Sequence, residues 1–128
     1  MLNTGYCTIT NRTKGHLPRC PFETIKNKIL GKNYELGIIF LPASKQKQIN
    51  LTYRGKNETT NILSFPFSKT SGEITFDLLR VKKDSSLFEM SYPEFLKYLL
   101  IHGCLHLKGF EHSSTMEEQE RKYLKMFS

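Results

Sequence analysis

The chain has 128 residues, 38% hydrophobic and 12% aromatic with no tryptophan, which fits one soluble globular domain. The formal net charge of +7 lies wholly in residues 1–60, where ten Lys or Arg face three Glu; residues 61–128 hold nine of each sign. A one-sided basic excess suits a polyanionic partner, nucleic acid or an anionic membrane surface, and suits a plain high-pI soluble protein equally well.

Tyr6–Thr10, "YCTIT", is β-branched and aromatic and predicts a first strand. A loop follows through Gly15, His16 and Pro18, with His16 an ordinary loop histidine. "PFETIKNKILG" sets Phe22, Ile25, Ile29 and Leu30 on one helical face, with proline at its start and Gly31 at its end. "YELGIIFL", Tyr34–Leu41, predicts a second strand, apolar enough to be central. Residues 43–53 predict a short helix ending near Gly55. "TNILSFPF" predicts a third strand halted by Pro66, and "GEITFDLLRV" a fourth, with Ile74, Phe76 and Leu78 on one face. "KKDSS" reads as an exposed turn.

A long helix starts at Ser91, where "SYPE" supplies a capping serine, a proline in the first turn and a Glu three residues on. It runs to Lys108, with Gly109 as a left-handed stop. Ser114 and Glu117 form a second capping box ahead of "MEEQERKYLKMF". The predicted order is β-α-β-α-β-β-α-α. It implies an α+β (mixed α/β) fold, a single domain over 1–128 with a mixed four-stranded sheet carrying helices. Cys7, Cys20 and Cys104 are scattered and odd in number, with no CxxC spacing, so a reducing compartment fits. The N-terminus lacks a signal-peptide core and no segment nears a membrane span of ~20 apolar residues. A cytoplasmic protein is expected.

Three of the four histidines fall within eleven residues, at the end of the long helix: His102, His106 and His112. His102 and His106 are four apart, so they share a face one turn apart. Gly109 permits a reversal, and His112 follows it as a third ligand. Three neutral imidazoles around a divalent cation, zinc by preference, leave a coordination position open, as in catalytic sites. Water bound there ionises near pH ~7. Cys104 lies ~200° from the helical histidines and is read as core packing. The ligand spacing also matches the metzincin protease signature HExxHxxGxxH, but Gly103 stands where those enzymes carry the glutamate base.

"HGCLHLKGFEH" resembles the H-G-x-L-H-L-x-G-Y-D-H signature of the YbeY family, bacterial metal-dependent endoribonucleases of ribosomal RNA maturation and ribosome quality control. "INLTYRGKNETTNILSFPF" resembles a second block of that family, L-N-x-x-Y-R-x-x-x-x-x-T-D-V-L-S-F-P, and Gly72–Ile74 its following G-D-I. The strong motifs span Asn50–His112. Asn61, Glu73 and the pair Phe110–Glu111 depart from the family pattern. Asn61 sets an amide where the family pattern carries a carboxylate.

The resemblance implies RNA cleavage, with His102, His106 and His112 holding the metal, His106 and Arg54 catalytic, and ribosomal RNA precursor and the ribosome as partners. Arg54 suits a phosphodiester, since its planar fork binds two oxygens and stays charged. Lys56, Lys45 and Lys47 are further RNA-binding candidates, and Tyr53, Phe65 and Phe67 are candidates for stacking unpaired bases. Glu111 is placed to orient a histidine or to move a proton, with a solvated loop glutamate as the alternative. Two competing readings stay open: a zinc peptidase, disfavoured by Gly103, and a non-catalytic ribosome assembly factor with a structural metal.

Overall fold

The computed structural model describes residues 2–3, 6–110 and 113–128. In chain order the elements are β1 (Leu2–Asn3), β2 (Cys7–Asn11), α1 (Phe22–Leu30), β3 (Glu35–Phe40), α2 (Ala43–Arg54), β4 (Ile62–Ser68), β5 (Ser71–Phe76), α3 (Leu78–Leu87), α4 (Tyr92–Lys108) and α5 (Ser114–Met126). The sheet order is β1-β2-β3-β5-β4. β2, β3 and β5 run parallel, and β1 and β4 are antiparallel edges.

The register puts Ile9, Ile38 and Ile74 in one cross-strand row, and all three are buried. With a period of two, Leu36, Phe40 and Phe76 share that face. Phe40 stacks on Phe76, with centroids 5.3 Å apart, and meets Phe22 of α1 edge-on at 5.7 Å. Each such side chain contributes roughly 1.5–3 kcal/mol by leaving water. Helix α4 adds Phe95, Leu96, Leu100, Ile101, Cys104 and Leu105 to the same core.

The mixed α+β architecture and the central β3 agree with the sequence. Several boundaries differ. The fourth predicted strand does not extend to Val81: β5 ends at Phe76 and residues 78–87, including the expected "KKDSS" turn, form helix α3. Buried Asp77 causes the switch, because its carboxylate accepts from the Leu79 and Arg80 amides and caps the helix. Leu78, Val81 and Ser85 then form the inward stripe. Strand β4 starts at Ile62 and passes Pro66 to reach Ser68, with a register shift between those last two. Two-residue β1 adds a fifth strand. The cap of α5 is Ser113, whose hydroxyl accepts from Met116, and not Ser114.

Candidate active site

Helix α4 presents the histidines. Ser91 caps it by accepting from the Glu94 amide, and Gly109 ends it at φ 111°. Gly109 donates to the His106 carbonyl and Phe110 to the Leu105 carbonyl, so the last turn is closed and the chain turned by a left-handed residue. The apolar face of the helix fixes its rotation. Gly103 lies against the sheet, where an added Cβ would meet Ile74 Cδ1 at 2.9 Å and Ile62 Cδ1 and Ser64 Oγ at 3.0 Å. Gly103 therefore sets how closely helix and sheet approach, and a glutamate there has no room. Cys104 is fully buried and its thiol is pushed well up by burial, so it serves the core.

His102 and His106 are both partly exposed. Their rings meet edge-on, centroids 4.8 Å apart. His102 Nδ1 donates to Glu120 Oε2 of α5, since a carboxylate oxygen accepts. That bond orients the imidazole from the neighbouring helix. Tyr98, one turn before His102, also feels Glu120: burial first, and then this carboxylate, raise the tyrosine's pKa. Glu120 is the residue that sequence reasoning missed. Its signal was present: it occupies the buried stripe Met116–Glu120–Tyr123, an odd place for a charge.

His102 and His106 open into a cleft of about 590 Å³ shared with Arg54, Tyr53, Thr60 and residues 62–65 of β4. Arg54 ends α2, and Gly55 in the left-handed region at φ 70° turns the chain there. Two buried amides four residues apart hold the following loop. Gln46 donates to the Thr75 and Thr60 carbonyls, and Asn50 to Glu58 at 2.8 Å. Tyr53 packs edge-on to Phe65, centroids 5.4 Å apart, on the cleft wall. Tyr53 is 71% exposed, so its ring faces are open to a stacking partner.

Not every predicted site residue converges here. Lys56 lines a neighbouring cavity with Arg54, whereas Lys45 and Lys47 are exposed on α2 and line neither. Phe67 is exposed and outside the cleft. Asn61 donates to Asp84 Oδ2 at 3.0 Å, an amide facing a carboxylate where two carboxylates would repel. Glu73 sits beside Gly37, on the other face of the sheet from Ile74, and burial raises its pKa while Arg12 lowers it. Glu111 and His112 lie outside the described residues. Among the described residues no three metal-binding side chains cluster. The donor chemistry of the pair still fits a divalent ion, because two adjacent imidazoles, one held by a carboxylate, are preferred zinc donors.

Fold and site define a small α+β protein whose cleft joins paired imidazoles to a guanidinium. The chain belongs to the YbeY family: the family model described as "Endoribonuclease YbeY" matches residues 8–128. It is 33% identical over 109 residues to the Bartonella henselae protein named endoribonuclease YbeY, covering 73% of this chain and 68% of that one. It is also 33% identical over 129 residues to the Buchnera aphidicola protein of the same name, covering 91% and 81%. A solution structure from Thermotoga maritima is similar, with TM-score 0.65 and 25% identity over 93% of this chain and 87% of that one.

Proposed function

We propose that residues 1–128 form one metal-dependent endoribonuclease domain, acting in the cytoplasm on single-stranded regions of ribosomal RNA precursor, at the small-subunit RNA 3′ end, and in ribosome quality control. The observation that carries this is the shared cleft of His102, His106 and Arg54 with the Tyr53–Phe65 pair on its wall. Unpaired bases stack on aromatics, and phosphates bind guanidinium. Names of relatives supply the reaction class.

His102, His106 and His112 would hold a divalent ion, zinc by donor type. Such an ion supplies a water of lowered pKa or polarises a phosphoryl oxygen. The chain's own residues do the rest. Arg54 binds the scissile phosphate and stabilises its developing charge. Glu120 keeps the His102 proton on Nδ1. Tyr53 orients a base. A peptidase reading finds no support at Gly103, where packing leaves no space for the missing base.

The test is cleavage of a labelled single-stranded RNA by nuclease-free protein. His106→Ala, shown folded by circular dichroism, is expected to lose about a hundred-fold or more in rate. Undiminished cleavage by that variant overturns the mechanism. Chelator-sensitive peptide hydrolysis without RNA cleavage would favour the peptidase, and tight ribosome binding with no turnover on any RNA the assembly factor. A cyclic phosphate product would identify the RNA 2′-hydroxyl as nucleophile.

A further inference from the structure

Arg54 and Thr60 line not only the histidine cleft but also a second cavity of about 300 Å³. The two cavities therefore meet at the residue assigned to the scissile phosphate. Their linings differ in kind. The first carries the aromatic pair. The second has no aromatic or aliphatic side chain and is built from polar and charged groups.

Three cations line it, Arg54, Lys56 and Arg80, against the carboxylates Asp84 and exposed Glu58. Arg80 Nε pairs with Asp84 at 3.1 Å from each of its oxygens and Asn61 donates to it at 3.0 Å, so against Glu58 the lining keeps one net positive charge. The terminal nitrogens of Arg80 bond no described residue, and its side chain is 41% exposed. They remain available to an anion. One more group has an unmet need. Asn50 is 1% exposed, spends Nδ2 on Glu58, and leaves Oδ1 buried with no donor. A buried acceptor without a partner is costly and calls for a hydroxyl or water.

Cations for a phosphate, a desolvated acceptor for a hydroxyl and no surface for a base are the requirements of a ribose-phosphate unit. We propose that this cavity is a backbone subsite. It holds the ribose-phosphate of the nucleotide next to the reacting one, and so sets the path of the strand away from the histidines. The inference rests on the proposed RNA-cleaving function and adds Lys56, Arg80 and Asn50 as subsite residues.

The test uses short single-stranded oligoribonucleotides in which each phosphate in turn is replaced by a neutral methylphosphonate. Neutralising one phosphate that flanks the cut is expected to lower kcat/KM of the parent about ten-fold. The same replacement should cost Arg80→Gln less than about two-fold, because the contact is already lost. Lys56→Ala, at an exposed site past the helix end, repeats the measurement if Arg80→Gln does not fold. The subsite is wrong if every position costs parent and variants alike. If the parent cuts no RNA, the proposed function fails by itself. Dissociation constants for the same oligonucleotides, by fluorescence anisotropy, then decide the subsite by the same comparison.

Discussion

The contact distances at Gly103 give the residue scale its clearest prediction. Its position between Ile62, Ser64 and Ile74 is buried, and an added Cβ would press on their side-chain ends at 2.9–3.0 Å. Gly103→Glu both overpacks the helix–sheet contact and buries a carboxylate. It should cost about 3 kcal/mol or more, read from a urea midpoint at unchanged m. Glu120 makes the opposite case. Glu120→Gln keeps the volume but weakens the acceptor facing His102. We expect activity and zinc affinity to fall about 10–100-fold, with a small change in the unfolding midpoint. Isothermal titration with zinc measures this apart from turnover. His102, His106 and Arg54 were legible in the sequence because spacing on one helix and a family motif name them. Glu120 was not, since its partner lies eighteen residues away on another helix.

At the scale of elements, caps decided what the sequence could show. Helix α4 was readable at both ends because Ser91 and Gly109 are unambiguous start and stop chemistry. Helix α3 escapes the sequence pattern because Leu78 continues the period-two face of Ile74 and Phe76, while it also opens the three-residue spacing Leu78–Val81 of a helix. The deciding group is Asp77, which also accepts from Thr59 Oγ1 at 2.8 Å. Asp77→Ala is expected to destabilise the protein by about 2 kcal/mol, checked by thermal unfolding. It should also loosen the loop before β4, since Thr59 loses its acceptor. Hydrogen exchange at the Leu79 and Arg80 amides would report the loss of the cap directly.

Across the whole molecule, alternating strands and helices followed by a hairpin revealed the α+β class, yet the charge count could not locate the binding surface. Of the basic residues near the motif, Arg54 and Lys56 reach the cavities while Lys45 and Lys47 do not. Burial of Glu73 raises its pKa above the ordinary 4.5. The folded state then holds its proton to higher pH than the unfolded chain does. Stability from this group is full below about pH 4 and declines as pH rises through the folded value. Glu73→Gln should therefore stabilise the protein at pH 7, and the gain should vanish below about pH 4, as measured by denaturant titration across pH. The outer strand β4 has a consequence between molecules. Asn61 and Asp77 share a ladder bond, which turns the backbone positions of Ile62, Ser64 and Pro66 away from β5. Pro66 brings no N–H to that open rim, and the irregularity after it breaks the repeat. A neighbouring copy laid alongside in a crowded solution would meet a gap in mid-strand, which disfavours its pairing with the rim beside the cleft.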